Sequence, residues 1–199
     1  MIHYYAEKPP SKPHARKIIS DFIRGVSVEF IVEPPVFSVN RIDPGSKLLI
    51  EVAQIPSNAI ILDMGCGYGV IGITLAKVFP DIKVYMVDIN RKAVELSKIN
   101  AKINGVQDRI IVLQGNLYEP VKDVKFDVIL SNPPITAGFS IVEKLIKESF
   151  KYLKPKGSMQ LVVKKGIDRV RRMLMNIYGN IEILASKKGY KVLKSIKQA

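Results

Sequence analysis

The feature that most limits the fold is an alternation of apolar strands and amphipathic helices that begins at residue 59. Continuous apolar runs such as AIILDMG and KVYMVDI are each followed by a stretch of helical periodicity. This alternation is typical of a parallel sheet covered by helices on both faces. Strands are predicted at 59–65, 83–89, 109–115, 126–134, 158–165, 181–186 and 190–196, and helices at 69–79, 90–105, 140–154 and 168–179. Because Lys188-Gly189 forms a turn between the last two strands, one antiparallel strand is expected near that edge.

The part of the chain before this alternation is predicted to be an extension followed by a helix. Residues 1–40 form the extension, with one strand at Val26–Val32. The helix lies in DPGSKLLIEVAQI, where Asp43 suits the cap and Pro44 the first turn. A division into an N-terminal extension (1–40) and one α/β domain (41–199) follows.

Composition excludes several classes of protein. The chain has 199 residues and 47% hydrophobic content, enough for one core. It has a single cysteine, Cys66, and no cluster that suggests a metal site. No apolar run approaches the ~18 residues of a membrane span, and the first residues lack the apolar core of a signal peptide. We therefore expect a soluble, cytoplasmic protein without a metal or a membrane partner.

A glycine-rich turn follows the first strand of the alternation, in LDMGCGYGVIG. Gly67-x-Gly69-x-x-Gly72 matches the dinucleotide-binding fingerprint, but a match of this length is weak. Reading from Asp63 gives D-x-G-x-G-x-G, a carboxylate followed at once by glycines. This arrangement suits a ligand with an ammonium group, such as S-adenosylmethionine, whose carboxylate would face the helix N-terminus.

The next two strand ends carry polar residues that fit the rest of a nucleoside. Asp88 ends the second strand, where a carboxylate can accept both ribose hydroxyls; a helix cap is the alternative. Asn116 and Leu117 follow the third strand, in the turn that lies over the adenine in this topology. A simple turn asparagine is the alternative there.

The fourth strand ends in LSNPPI, where an amide side chain precedes two prolines. Asn132 Oδ1 and the Pro133 carbonyl can accept the two N–H groups of a planar amine and favour a pyramidal, nucleophilic nitrogen. Pro133 and Pro134 have no N–H to compete for these acceptors. Ile135 is expected to pack against the flat target. A dehydrogenase has no need for this arrangement, which disfavours the dinucleotide hypothesis.

Together, LDMGCGYGVIG, VDIN, LSNPPI and VFSVNRIDPGSKLLI resemble the small-domain class I methyltransferases. The residues are most similar to the RsmC-like ribosomal RNA guanine-N2 methyltransferases and their short archaeal relatives. The resemblance covers about residues 34–195. It implies a Rossmann-like, seven-stranded sheet, S-adenosyl-L-methionine as the methyl donor, and an exocyclic amine as the acceptor.

The resemblance also implies roles for individual residues. Asn132 to Ile135 are the predicted catalytic residues, and Phe37 and Ile135 the predicted contacts with the target base. Phe37 has core packing as an alternative role. The predicted cofactor contacts are Asp63, Gly65, Cys66, Gly67, Asp88, Ile89, Asn116, Leu117 and Asn132.

The chain departs from the family pattern in three places. Many relatives have Asp where this chain has Asn116, and an aromatic residue where it has Ile135. An aromatic side chain stacks on a base more strongly, typically by ~1–3 kcal/mol, so the grip on the target is expected to depend on Phe37 or on the RNA fold. The second methyltransferase-like domain of the longer bacterial forms is not expected in this chain.

The positive charge is concentrated in the last quarter of the chain. Residues 144–199 contain 15 Lys and Arg and 3 Asp and Glu, a balance of +12, while residues 1–143 contain 16 and 15, a balance of +1. A one-sided field favours a polyanionic partner. Lys164, Lys165, Arg171 and Arg172 are predicted to bind RNA, and Arg169, Lys187, Lys188, Lys191, Lys194 and Lys197 to extend that surface.

The main hypothesis is methylation of an exocyclic RNA base nitrogen, specifically guanine N2 of 16S ribosomal RNA, with the ribosomal RNA or the small subunit as partner. Three alternatives remain open: a protein glutamine, a transfer RNA base, or RNA binding without catalysis. The sequence does not determine the oligomeric state.

Overall fold

The computed structural model describes residues 16–34, 40–133, 135 and 138–198. It contains a two-stranded hairpin and a seven-stranded sheet with helices. The strands are β1 (Lys17–Ile23), β2 (Val26–Val32), β3 (Ile60–Met64), β4 (Lys83–Asp88), β5 (Ile110–Gln114), β6 (Phe126–Ser131), β7 (Leu153–Val163), β8 (Glu182–Lys187) and β9 (Tyr190–Ile196). The helices are α1 (Pro44–Val52), α2 (Val70–Val78), α3 (Arg91–Ile103), α4 (Phe139–Tyr152) and α5 (Ile167–Tyr178).

The order of the strands places a crevice between β3 and β6. The order is β5-β4-β3-β6-β7-β9-β8, so the chain winds outward from β3 in one direction and from β6 in the other. Within this seven-stranded sheet, β9 runs antiparallel to the other six strands. In such sheets, ligands bind at the carboxyl ends of the strands where the winding direction reverses. The predicted Rossmann-like fold, with its single antiparallel strand near one edge, is confirmed.

Each face of the sheet is covered by an apolar layer. Successive side chains of a strand point to opposite faces, so each strand contributes to both layers. On β3, Ile61 belongs to the cluster with the hairpin, α1, α2 and α3, whereas Leu62 belongs to the cluster with α4 and α5. Both side chains are fully buried. This double cover explains why the strands read as continuous apolar runs. No helix in the described ranges is long and apolar enough to cross a membrane.

The hairpin is attached to α3 by two asparagine side chains. Asn100 accepts from the Ile31 N–H at 2.8 Å and donates to the Ile31 carbonyl at 3.0 Å. Asn104 makes the same pair of bonds with Glu29, at 3.2 and 2.7 Å. Asn100 and Asn104 are separated by about 6 Å along the helix, and Glu29 and Ile31 by about 6.7 Å along the strand, so each asparagine lies opposite its partner. Side-chain amides thus replace a neighbouring strand at the outer edge of β2.

The hairpin differs from the sequence prediction in one strand. β2 has the predicted bounds, whereas β1 was not predicted. β2 buries Val28, Phe30 and Val32 in the cluster that also contains α1 and α2. The outer face of β1 is exposed, with Ile18 at 64% and Phe22 at 65%. The division of the chain at residue 40 stays a prediction.

The fifth predicted strand begins earlier than expected. β7 starts at Leu153, although Pro155 and Gly157 were predicted to separate it from the preceding helix. Residues 156 and 157 pair with Lys197 through two backbone hydrogen bonds of 2.8 Å, which continues the β7–β9 ladder. A Cβ on Gly157 would lie 2.9 Å from the Lys154 carbonyl oxygen, so glycine permits this close approach.

Candidate active site

A cavity of about 240 Å³ lies at the carboxyl edge of the sheet, between the glycine loop and the end of β6. It joins four of the predicted cofactor contacts to the residues that follow β6. Its lining consists of Asp43, Ser46, Gly65, Cys66, Gly67, Tyr68, Val70, Ile71, Asn132, Pro133, Ile135, Val162, Val163, Lys164, Lys165 and Tyr190.

Asp63 presents a buried carboxylate oxygen that has no hydrogen-bond partner among the residues that the structure describes. The side chain is fully buried, its Oδ2 accepts from the Gly72 N–H at 2.9 Å, and Oδ1 is unpartnered. Burial raises the pKa of this carboxyl to about 7; the Gly72 hydrogen bond opposes the shift and nearby Asp88 adds to it. A buried acceptor without a donor is costly. The ammonium group of a bound ligand is the kind of donor that this oxygen lacks.

The glycine loop has a backbone that only glycine adopts easily. Gly65, Gly67 and Gly69 have φ of +73°, +58° and +97°, in the left-handed region. A Cβ on Gly65 would point into open space, so that side of the loop is free for a ligand. The Gly65 and Cys66 N–H groups donate to the Val87 carbonyl at 2.8 and 3.1 Å. These bonds hold the loop against β4, directly before α2.

The carboxylate of Asp88 ties the glycine loop to the start of α3. Its Oδ2 accepts from the Gly67 N–H at 2.8 Å and its Oδ1 from the Asn90 N–H at 2.9 Å. Asn90, rather than Asp88, caps α3. Asp88 is therefore not the helix cap that the sequence left as an alternative. It lies at the end of β4, where the sequence predicted a contact with ribose.

The residues predicted to meet the adenine lie at the same edge but outside the cavity. Asn116 is exposed, and its amide nitrogen is 3.5 Å from Glu119 Oε1. Leu117 is half-buried with φ of +50°, and Ile89 is also half-buried. Asn116 lines a separate groove with Tyr118 and the end of α4. Their contact with a cofactor stays a prediction.

The Asn132 side chain is held by the N-terminus of α1. Its amide nitrogen donates to Asp43 Oδ2 at 2.8 Å and to Ser46 Oγ at 2.9 Å. The two partners are buried, with exposures of 8% and 4%. The amide oxygen is thus the polar end of the Asn132 side chain that remains for a target.

The acceptor loop differs from its prediction in one respect. The Pro133 carbonyl accepts from the Ile135 N–H at 2.9 Å, so an N–H does compete for this acceptor. A carbonyl oxygen has two lone pairs, and one remains for a target. Ile135 lines the cavity and also packs on the α4–α5 side of the sheet. Pro134 and Phe37 lie outside the described residues.

Eight cavity residues were not predicted as site residues, and four of these have polar side chains: Asp43, Ser46, Tyr68 and Tyr190. Asp43 was predicted only as a helix cap. The Tyr68 hydroxyl is buried without a partner, and burial and Asp43 raise the pKa of this phenol. Tyr190 packs so closely on Gly45 that a Cβ there would lie 2.7 Å from its ring.

The basic residues of the last quarter do not form one surface. Lys164 and Lys165 line the cavity, and the Lys164 ammonium lies 4.9 Å from the centre of the Tyr190 ring. Arg171 and Arg172 are exposed on α5. Lys191 pairs by register with Val163 at the end of β7. Lys187 lies at the end of β8, opposite Tyr190, and Lys188 is in the turn between them.

Three of the predicted basic residues have other partners. Arg169 stacks on Phe139 and lies 3.6 Å from Glu143, and Lys194 pairs with Glu182 at 3.2 Å. Lys197 lies at the opposite edge of the sheet, where it donates to the Phe150 and Leu153 carbonyls. The surface near the cavity is therefore smaller than the sequence suggested.

Comparisons with known proteins agree with this geometry. The family model of the methyltransferase small domain matches residues 27–194. An uncharacterized protein of Bacillus subtilis, YbxB, is 37% identical over 98% of both chains. Ribosomal RNA small subunit methyltransferase C of Buchnera aphidicola is 36% identical over 81% of this chain and 50% of that protein. This chain thus spans about half the length of the methyltransferase C relatives that it matches.

Solved structures give the same result for the fold. The Thermus thermophilus 16S rRNA N2 G1207 methyltransferase RsmC, in complex with AdoMet and guanosine, superposes with a TM-score of 0.85 at 25% identity, over 96% of this chain and 52% of that one. A Pyrococcus furiosus methyltransferase superposes with a TM-score of 0.72 at 20% identity, over 86% and 90% of the two chains. Since the family model matches most of the sequence, the resemblance seen in the motifs is confirmed: the chain belongs to the small-domain methyltransferase family.

Proposed function

We propose that this protein transfers a methyl group to guanine N2 of small-subunit (16S) ribosomal RNA. The observation that carries the proposal is the placement of the Asn132 carboxamide, its nitrogen bound by Asp43 and Ser46, in the cavity that also contains the glycine loop. A methyl donor at the loop and an amine at Asn132 would meet in this space.

S-adenosylmethionine is the cofactor of this methyltransferase, and the residues of the loop fit it. The unpartnered Asp63 oxygen can accept from the ammonium group, and Gly65 leaves room for the amino-acid part. Asp88 is the proposed ribose contact, and Asn116 and Leu117 are the proposed adenine contacts. When bound, the cofactor supplies an electrophilic methyl group on a sulfonium.

The residues after β6 would orient the acceptor. Asn132 Oδ1 and the free lone pair of the Pro133 carbonyl accept the two N–H groups of the target amine. This reduces delocalisation of the nitrogen lone pair into the ring and directs it toward the methyl group. The nitrogen would form its bond to the methyl carbon as the bond from that carbon to the sulfonium sulfur breaks, with the thioether S-adenosylhomocysteine as the leaving group. The nitrogen would afterwards give up one proton to solvent. Ile135 supports the flat face of the base.

Two observations support ribosomal RNA as the substrate. The relatives named ribosomal RNA small subunit methyltransferase C are 30–36% identical over at least 81% of this chain. The charge of +12 in residues 144–199 suits a polyanion, and Lys164 and Lys165 line the cavity itself. Protein glutamine is a weaker candidate because it does not require this charge. We further propose that the protein acts in the cytoplasm.

Methyl transfer from labelled S-adenosylmethionine tests the proposal. The purified protein is incubated separately with 16S ribosomal RNA, small subunits, transfer RNA and a protein extract, and mass spectrometry of nucleosides identifies the product. N2-methylguanosine in 16S ribosomal RNA is expected. Label that appears only in protein or in transfer RNA would overturn the choice of substrate.

Asn132→Ala tests the assigned site. We expect methyl transfer to fall by about 100-fold or more, because the main acceptor for the amine is lost. The dissociation constant of S-adenosylmethionine, measured by calorimetry, should stay within a few-fold of the wild-type value. An equal loss of binding and of transfer would contradict the role of Asn132 in holding the target.

A further inference from the structure

Within the described residues, the hydrogen bonds of Asn132 leave one polar atom of its carboxamide without a partner. An NH₂ group has two hydrogens, and here two acceptors face it: Asp43 Oδ2 at 2.8 Å and Ser46 Oγ at 2.9 Å. The donor capacity of the nitrogen is therefore used within the protein. The oxygen, Oδ1, is the atom that can accept from a ligand in the cavity.

The charge on Asp43 determines which way the carboxamide points. An ionised carboxylate accepts hydrogen bonds and donates none. Rotating the Asn132 amide by half a turn would bring its oxygen against Asp43 Oδ2 and replace a hydrogen bond with repulsion between two acceptors. The Ser46 hydroxyl can donate as well as accept, so the Asp43 carboxylate is the partner that selects the orientation. Since Asp43 and Ser46 are more than nine-tenths buried, water has little access to replace them.

Asp43 is itself held in place by the start of α1. Its Oδ2 also accepts from the Ser46 N–H at 2.9 Å, which caps the helix. Pro44 occupies the first turn, where its fixed φ suits the helix. One carboxylate oxygen therefore joins the helix N-terminus to Asn132, 89 positions later in the chain.

We propose that Asp43 is the positioning residue for Asn132: its carboxylate fixes the amide oxygen toward the target amine and increases the negative charge on that oxygen. A hydrogen bond donated to a carboxylate polarises the amide, and bonds in such a chain strengthen one another. Ser46 supplies the second acceptor and completes the orientation. This inference rests on the proposed function, since it concerns the same reaction.

Asp43→Asn tests the role of the charge. Asparagine is also a good helix cap, so α1 should be retained. We expect kcat to fall by about 10- to 100-fold, the range for loss of a hydrogen bond to a charged group. The dissociation constant of S-adenosylmethionine should stay within a few-fold. Asp123→Asn, which makes the same charge change at an exposed position, is the matched control and should leave kcat unchanged.

A double-mutant cycle separates positioning from a direct contact or a general loss of structure. If Asp43 acts through Asn132, Asp43→Asn should cause no further loss in an Asn132→Ala protein. Additive losses in the cycle would overturn the proposal. Ser46→Ala keeps the backbone donor of the cap; it should lower kcat and again lose its effect in the Asn132→Ala background. This second variant keeps the test decisive if Asp43→Asn does not fold.

A spectroscopic measurement is independent of methyl transfer. In ¹⁵N-labelled protein, the Asn132 side-chain NH₂ signals are assigned by their absence from Asn132→Ala. We expect slow hydrogen exchange at these protons, and a shift of their resonances in Asp43→Asn and Ser46→Ala but not in Asp123→Asn. Resonances unmoved by Asp43→Asn would refute the positioning role. Absence of transfer by wild-type protein, with these shifts present, would instead refute the proposed function alone.

Discussion

At the scale of single residues, buried polar groups carry most of the information about the site. Asp63 Oδ1 and the Tyr68 hydroxyl are buried without a partner in the described part of the chain. Unsatisfied groups are rare in native structures and call for an explanation. Both belong to the glycine loop region, and Tyr68 lines the cavity. The motif D-x-G-x-G-x-G predicted Asp63, whereas no motif distinguished the tyrosine between the glycines.

The raised pKa of Asp63 predicts a pH-dependent effect on stability. The folded pKa of about 7 lies above the ~3.9 of an unfolded Asp. Because the folded state then binds the proton more tightly, the free energy of unfolding falls as pH rises between these values. Asp63→Asn has no such proton. We expect the variant to gain roughly 2–3 kcal/mol relative to wild type between about pH 5 and about pH 8.

Urea unfolding of ligand-free wild-type protein and Asp63→Asn across this pH range measures the effect. Asparagine can still accept from the Gly72 N–H, so the difference in the free energy of unfolding between the two proteins reports the ionisation of Asp63. Parallel stability curves would contradict the raised pKa.

At the scale of elements, the sequence predicted most strands and helices because the burial of each element imposes a recognisable pattern of apolar residues. It did not predict β1, whose outer face carries exposed Ile18 and Phe22 and whose partner is only β2. It also could not predict that Asp43 meets Asn132, because a contact across 89 positions leaves no local pattern. The roles of Asn116, Leu117 and Phe37 stay predictions.

The attachment of the hairpin to α3 gives an element-scale prediction. Asn100→Ala removes the partners of the Ile31 N–H and carbonyl and of the Tyr68 carbonyl. We expect the free energy of unfolding to fall by about 2–3 kcal/mol, since buried backbone groups lose their hydrogen bonds. Asn176→Ala, at an exposed position of α5, should change it by less than about 0.5 kcal/mol. Similar values for the two variants in urea unfolding would refute the proposed attachment.

At the scale of the whole molecule, both faces of the sheet carry basic helices, and these helices differ in their position relative to the cavity. α5 lies on one face and begins beside the cavity, whereas α3 packs on the other face. The sequence showed that the excess charge lies in the last quarter, but not which surface of the fold carries it. Lys197 lies at the opposite edge of the sheet, and Arg169 and Lys194 form ion pairs with Glu143 and Glu182.

Two pairs of substitutions test whether RNA meets the α5 side. Arg171→Gln with Arg172→Gln should weaken binding of a 16S ribosomal RNA fragment and reduce the slope of log affinity against log salt by about 1–2. Lys98→Gln with Lys102→Gln removes the same charge from exposed positions of α3 and should have little effect. Fluorescence anisotropy at several salt concentrations gives both slopes. Equal changes for the two pairs would mean that the location of the charge is irrelevant.

The raised pKa of Asp63 has a consequence for cofactor binding. Under the proposed contact, the ammonium group of the cofactor would favour the carboxylate form, so Asp63 would release its proton as the cofactor binds. Cofactor binding would therefore depend on pH. The measured enthalpy of binding would include the enthalpy of protonation of the buffer that takes up the proton. Acidification of the surroundings would weaken cofactor uptake before it affected the fold.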